Sequence, residues 1–231
     1  MPWYVLTGAP GSGKTAIIRQ LERDGFDVVE EAATDVIALE HALGRPEPWS
    51  LPGFTDQIAA LQRRREQRAP RTAAPVFFDR SPACTLALSR FLGLPPASGL
   101  RAEVDRVVRE RRYERSVFLV RNQGFVAPTS ARRISFAESL AFEAVHERTY
   151  QELGFTLIDV PAGPLADRAA LVRREALRLT EAEPAAAPSS CASAAGLRGH
   201  GPGQGANQVS GSSSTSGAPA DASAPTTRVR R

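Results

Sequence analysis

Short apolar runs alternate with longer amphipathic segments along the first 180 residues. The apolar runs are five or six residues long, as in buried strands, whereas the longer segments repeat apolar residues with the period of a helix. We predict strands at 3–7, 26–30, 75–79, 116–120 and 155–160. We predict helices at 14–23, 32–43, 55–68, 83–92, 100–112, 135–153 and 165–179. This alternation indicates an α/β fold of three layers, with a five-stranded parallel sheet between helices on both faces.

The composition changes near residue 181. From there to residue 231 the chain is rich in Ala, Ser, Gly and Pro and contains no aromatic residue. Such a segment cannot bury enough apolar surface to offset the entropy lost on ordering. We therefore predict a folded domain at 1–180 and a disordered tail at 181–231.

Charge and cysteine usage narrow the class of protein. A net charge of +4 over 231 residues is too small for a dedicated nucleic-acid binder. The two cysteines, Cys84 and Cys191, lie far apart, which excludes a disulfide scaffold or a cysteine-rich zinc site. No apolar run has the length of a membrane span, and the N-terminal residues lack the pattern of a secretory signal. We expect a cytoplasmic protein; the sequence does not indicate its oligomeric state.

The first predicted strand leads directly into a glycine-rich turn that fits the P-loop motif, G-x-x-x-x-G-K-[ST]. The turn consists of Gly8, Ala9, Pro10, Gly11, Ser12, Gly13, Lys14 and Thr15. Its backbone N–H groups and the following helix N-terminus are suited to a phosphate, Lys14 to the β- and γ-phosphates, and Thr15 to Mg²⁺. Of 29 basic residues Lys14 is the only lysine, and it stands where a planar guanidinium would fit poorly. The motif predicts binding of ATP, or another nucleoside triphosphate, with Mg²⁺.

The third predicted strand ends at Asp79, followed by Arg80 and Ser81. An apolar strand that ends in Asp is typical of a Walker B element, whose carboxylate lies beside the metal. Asp79 could alternatively cap the next helix. Motor ATPases typically follow this Asp with a Glu that polarises water, whereas Arg80 can stabilise charge on a transferring phosphoryl group.

Two further groups are candidates for the same edge of the sheet. The second strand ends in Glu30 and Glu31, either of which could take a proton from an acceptor hydroxyl or simply cap the next helix. Arg132 and Arg133 follow the fourth strand and could close over a triphosphate as a lid, or remain solvated. The arginines at 63–65 and 68 are interpreted as a solvated helix face.

On these segments the chain resembles the P-loop domains called NadR-like AAA domains. Nicotinamide riboside kinases of the NadR type and the TRPL translocation defect protein share such domains. The resemblance rests on residues 4–15, 29–33, 78–82 and 132–161, and it spans about residues 1–180. It implies the fold of a P-loop NTPase.

A more distant similarity to deoxynucleoside kinases implies specific roles on the acceptor side. It would make Glu31 a general base, Asp79 a metal ligand and Arg80 a stabiliser of the transition state. Thr34 stands where such proteins favour a basic residue, so the acceptor specificity is not carried over.

Two functional hypotheses remain open. The first is a small-molecule kinase that transfers the γ-phosphoryl of Mg·ATP to the hydroxyl of a nucleoside-like acceptor, using Lys14, Glu31, Asp79, Arg80 and Arg132. The second is a regulatory switch or slow ATPase without an acceptor. A GTPase with an Asn-Lys-x-Asp signature is excluded, because no lysine follows Lys14.

Overall fold

A parallel sheet of five strands forms the centre of the protein. The computed structural model describes residues 1–124 and 134–182 of the chain. The strands are β1 (Trp3–Thr7), β2 (Asp27–Val29), β3 (Val76–Asp79), β4 (Ser116–Val120) and β5 (Thr156–Val160). All neighbouring pairs are parallel, in the order β2-β3-β1-β4-β5, which confirms the predicted sheet.

Seven α-helices connect and follow the strands in the described residues. They are α1 (Lys14–Arg23), α2 (Ala33–Ala42), α3 (Phe54–Arg68), α4 (Pro82–Phe91), α5 (Ser98–Arg109), α6 (Phe136–Glu152) and α7 (Leu165–Ala182). The segment between α2 and α3 includes a short 3₁₀ helix, Pro48–Ser50. No helix in these ranges is long and apolar enough to cross a membrane.

The side chains of β1 alternate between two separate cores, as the pleat of a strand requires. Trp3 and Val5 pack with Tyr150 of α6 on one face, whereas Tyr4 and Leu6 pack with residues of α1 and α7 on the other. All four β1 side chains are buried. The strand is therefore covered by helices on both sides, so the residues that follow it emerge only at the edge of the sheet.

Two predicted regions lie outside the described residues. The loop that carries Arg132 and Arg133 belongs to residues 125–133, and the predicted tail falls almost wholly within residues 183–231. The last helix continues two residues past the predicted domain boundary at 180 and ends at Ala182.

Candidate nucleotide-binding and acceptor site

The predicted P-loop forms a tight turn between β1 and α1. Gly8, Gly11 and Gly13 have φ angles of 128°, 83° and 89°, which side-chain-bearing residues rarely adopt. A Cβ on Gly8 would lie only 2.5 Å from the carbonyl oxygen of Val120, so glycine is required there for space as well. The loop leads directly into the N-terminus of α1, whose first N–H groups have no partners within the helix.

Lys14 is almost completely buried beneath this turn. Its Nζ donates to the carbonyl of Ala9 at 2.7 Å and to Oγ of Ser12 at 3.1 Å. Burial and the nearby charge of Arg80 lower the pKa of Lys14 to about 7, against a partial opposing effect of Asp79 and Glu31. An anion bound in the turn would favour the charged form of the side chain.

Thr15 and Asp79 meet where α1 begins and β3 ends. The Thr15 hydroxyl donates to Oδ2 of Asp79 at 3.0 Å, and the buried Oδ1 has no hydrogen-bond partner among the described residues. Burial and the charge of Glu31 raise the pKa of Asp79. A hydroxyl and a carboxylate are oxygen ligands of the kind Mg²⁺ takes while keeping several waters or phosphate oxygens. The pair fits such an ion.

Arg80 and Glu31 form an ion pair across the ends of β3 and β2. Nε of Arg80 lies 2.5 Å from Oε1 of Glu31, and the Arg80 guanidinium also donates to the carbonyl of Gly8 at 3.2 Å. Thr34 donates to the other Glu31 oxygen at 3.0 Å. Burial opposes ionisation of Glu31, but the charges of Arg80 and Lys14 outweigh it, so the pKa of Glu31 lies below its ordinary value. Glu31 is therefore an ionised carboxylate.

The backbone of Arg80 has a φ of 77°, in the left-handed region that non-glycine residues rarely occupy. Its N–H donates to the carbonyl of Leu6 at 3.2 Å, so the bent backbone remains joined to β1. Strained backbone of this kind concentrates at functional sites, where the surrounding structure holds it in place. The bend accompanies the placement of the guanidinium between the P-loop and Glu31.

A cavity of about 680 Å³ extends from the P-loop past this ion pair. Its polar lining includes Lys14, Thr15, Glu31 and Arg80. Its apolar wall is formed by Ile37, Trp49, Phe54, Ile58, Leu88, Phe91 and Phe142. The amide of Gln62 also lines it, with its oxygen accepting from Thr85 at 3.2 Å. A cavity that is lined by both charged groups and aromatic side chains suits a small molecule with a reactive polar group and an apolar part.

The structure brings most of the predicted site residues together. Lys14, Thr15, Glu31 and Arg80 line the one cavity, and Asp79 contacts Thr15. Glu30, the alternative to Glu31, instead lies exposed and pairs with Arg19. Arg132, the last predicted member, is outside the described residues.

Several minor sequence interpretations have a different outcome. Arg65 is not part of a solvated face: its guanidinium donates to the carbonyls of Glu30 and Glu31 and to Asp35. Cys84, to which the sequence assigned no functional role, is buried and lines the cavity. Trp49 had no assigned role in the sequence and is part of the cavity wall. Its segment precedes α3 without any motif, so only the folded chain shows where it lies.

Comparisons with known proteins agree with this architecture. A family model described as an AAA domain matches residues 3–168. No curated protein matches the chain at a significant level. A NadR protein in complex with NAD and AMP-PNP is 17% identical, with a TM-score of 0.54, over 79% of this chain and 50% of that chain. A NadR protein in complex with NR is 18% identical, with a TM-score of 0.56, over 78% of this chain and 50% of that chain. The third structure is a deoxyadenosine kinase from M. mycoides with products dCMP and a flexible dCDP bound. It is 12% identical, with a TM-score of 0.52, over 76% of this chain and 99% of that chain.

The chain spans about half the length of the NadR chains it matches. At these identities the structural likeness concerns the fold, a parallel sheet with helices on both faces. The family model covers most of the chain, including the P-loop and the strand that ends at Asp79. The chain therefore belongs to the AAA domain family of P-loop NTPases.

Proposed function

We propose that the chain is a small-molecule kinase that transfers the γ-phosphoryl group of Mg·ATP to a hydroxyl of a nucleoside-like acceptor. The observation that carries the proposal is the continuity of the cavity. One cavity is lined by Lys14 and Thr15, by the Glu31–Arg80 ion pair and by aromatic side chains. A site for hydrolysis alone has no use for the apolar end, whereas a kinase must hold an acceptor there.

The P-loop side would bind the triphosphate. The backbone N–H groups of residues 8–15 and the start of α1 would surround the phosphates, and Lys14 would leave the Ala9 carbonyl to contact the β- and γ-phosphates. Thr15 and Asp79 would hold Mg²⁺, directly or through water. A bound Mg²⁺ would neutralise charge on the phosphate oxygens.

The acceptor side would be organised by Glu31. An acceptor hydroxyl placed beside its carboxylate would attack the γ-phosphorus while the bond from that phosphorus to the β–γ bridging oxygen breaks. The hydroxyl proton would pass to Glu31, and ADP would leave with the bridging oxygen. Because Arg80 keeps Glu31 ionised, the carboxylate is able to accept a hydrogen bond from that hydroxyl.

Arg80 would stabilise the charge that develops on the transferring group. Its guanidinium already lies between the Gly8 carbonyl and Glu31, at the border of the two halves of the cavity. A fixed cation there needs no reorganisation during the reaction. Arg132, outside the described residues, is proposed to add a second guanidinium from the lid.

The ligands of the structurally similar proteins support a nucleoside-like acceptor. The NadR structures contain NAD, AMP-PNP and NR, and the deoxyadenosine kinase structure contains dCMP and dCDP. The flat aromatic walls and the Gln62 amide suit an acceptor with a planar ring bearing polar atoms.

Acceptor-dependent formation of ADP tests the proposal. Purified protein with Mg·ATP is offered nucleosides and related ribosides, and both ADP and the phosphorylated acceptor are measured. A kinase forms them in equal amounts and only with an acceptor. ADP formed at the same slow rate with every acceptor, without phosphorylated product, would instead identify an ATPase or switch.

A further inference from the structure

Arg168 of α7 contacts the P-loop and is not among the residues that line the cavity. Its guanidinium donates to the Ser12 carbonyl at 2.8 Å and to the Arg121 carbonyl, beyond the end of β4, at 3.0 Å. A Cβ on Gly13 would lie 2.8 Å from its Nη1. Arg168 thus links the phosphate-binding turn to the residue that follows the carboxyl end of β4.

Within residues 1–124 and 134–182, the charge of Arg168 has no acidic partner. The side chain is buried, at 4% exposure, yet no carboxylate of the described residues lies within the 4.0 Å of an ion pair, and Nε has no hydrogen-bond partner. By contrast, the other well-buried guanidinium groups, those of Arg80, Arg106 and Arg112, each pair with a glutamate. Burial without a counter-charge is costly and lowers the pKa of Arg168.

Among the lysine and arginine side chains of the described residues, only Lys14 is equally buried without an ion pair. Both are 4% exposed, and both contact the same turn through backbone carbonyls. Arg168 also does not stabilise α7. It lies near the N-terminus of this helix, where a cation opposes the helix dipole. The shared feature of the two residues is the loop that they contact.

We propose that Arg168 is a positioning residue of the nucleotide site, which fixes the P-loop through the Ser12 carbonyl and takes its counter-charge from the polyphosphate of the bound nucleotide. The inference rests on the nucleotide-binding half of the proposed function and not on the identity of the acceptor. In this arrangement Arg168 acts through the loop that it contacts and adds a second positive charge to that of Lys14.

Calorimetry of tripolyphosphate and of Mg·ATP binding to the full chain tests this role of Arg168. Arg168→Met should weaken both by at least about tenfold, the size expected for a lost charge-assisted interaction. The melting temperature of the ligand-free variant is measured alongside, because Met also removes the hydrogen bonds to the Ser12 and Arg121 carbonyls and a loss of binding must be separated from a loss of folding. Arg173→Met is the matched control on α7, since Arg173 is half exposed and pairs with Asp24; it should bind as the parent does.

A second pair of variants separates charge from hydrogen bonding. Arg168→Lys keeps the charge and should bind tripolyphosphate within a few-fold of the parent, whereas Arg168→Gln keeps a donor without charge and should bind as weakly as Arg168→Met. Equal binding by Lys and Gln variants, or parental affinity in Arg168→Met, would overturn the role of the charge. If the parent chain itself binds no tripolyphosphate, the nucleotide site of the proposed function is wrong, and Arg168 has no ligand to position.

Discussion

The carboxylate of Glu31 lies 2.5 Å from Nε of Arg80, so the end of β2 and the end of β3 are joined by opposite charges. Both side chains are mostly buried, with exposed fractions of 20% and 12%. The pair lines the same cavity as Lys14 and Thr15. In the proposed reaction the acceptor hydroxyl would lie beside Glu31, so variants of this pair can separate catalysis from nucleotide binding.

Replacing Glu31 by Gln should abolish phosphoryl transfer while nucleotide binding survives. The amide keeps the shape of the side chain but cannot take a proton, and general-base catalysis contributes about 10²- to 10⁴-fold in rate. We expect acceptor-dependent kcat to fall by at least about 100-fold. The affinity for Mg·ATP, measured by calorimetry, should change by less than about threefold, because the P-loop contacts are untouched.

Glu30→Gln provides the matched control, because Glu30 is the neighbouring acid but is exposed and pairs with Arg19 at the surface. Its turnover should equal that of the parent protein. Equal losses in both variants would show that the effect comes from the charge of the segment. Unchanged turnover in Glu31→Gln would remove Glu31 from the chemistry.

The backbone strain at Arg80 predicts that a glycine variant is more stable than an alanine variant at this position. Arg80→Gly and Arg80→Ala both remove the guanidinium, and both should lose acceptor-dependent turnover. They differ in the Cβ, which disfavours the observed φ of 77°. We expect the Gly variant to have a free energy of unfolding higher by about 1 kcal/mol, measured with urea. An Ala variant as stable as the Gly variant would show that the left-handed conformation is not retained.

The P-loop and the sheet could be predicted because their signals are local. The strands at 3–7 and 116–120 are apolar runs buried on both faces, and their observed bounds equal the predicted ones. The turn after β1 carries a motif in which each residue type has a physical reason. Since parallel strands end at one edge, the prediction that Glu31 and Arg80 follow two strands of one sheet was enough to place them at the same edge.

The cavity wall and the P-loop contact of Arg168 could not be predicted in this way. Trp49 and Gln62 reach the cavity only through the packing of α2, α3 and α4, which is not encoded in a short spacing. Arg65 was misread because a run of arginines is typical of a solvated face, whereas its contacts lie on a segment 30 or more residues away. Arg168 is separated from Ser12 by 156 residues, so no motif connects them.

Replacing Gly8 by Ala should disrupt the phosphate-binding turn. The new methyl group would lie 2.5 Å from the backbone oxygen of Val120, which cannot move without disturbing β4, and the φ of 128° adds strain. We expect a loss of at least about 2 kcal/mol in the free energy of unfolding, as for other overpacked sites, and no measurable binding of Mg·ATP. Thermal unfolding and calorimetry measure the two effects.

Gly25→Ala separates strain from steric overlap. Gly25 also has a positive φ, of 93°, but a Cβ there would have no atom within 4 Å, and the residue lies between α1 and β2, away from the P-loop. This variant should lose only about 1 kcal/mol, the cost of the left-handed backbone, and should bind Mg·ATP normally. A Gly8→Ala variant no less stable than Gly25→Ala would contradict the proposed clash with Val120.

Lys14 should take up a proton when the nucleotide binds. With a pKa of about 7 in the free protein, most of its side chains are neutral at pH 8. The negative phosphates favour the ammonium form and raise the pKa of Lys14 in the complex. Binding at pH 8 should therefore consume up to one proton per site. Calorimetry in Tris and in HEPES measures it, because the apparent enthalpies differ by the number of protons exchanged multiplied by the difference in buffer ionisation enthalpy.

Binding to the parent protein at pH 6 is the control for this proton uptake, because most Lys14 side chains are then already charged in the free protein and have no proton to gain. The same pKa also affects stability without ligand. An unfolded chain keeps the lysine pKa near its ordinary value of 10.5, so between about pH 7 and 10.5 the unfolded state binds more protons. Lys14 therefore lowers the free energy of unfolding most at or below pH 7. The increase in this free energy in Lys14→Met should shrink as the pH rises toward 10.5. A gain that stays constant over this range, or binding without proton uptake, would show that Lys14 is fully charged in the free protein.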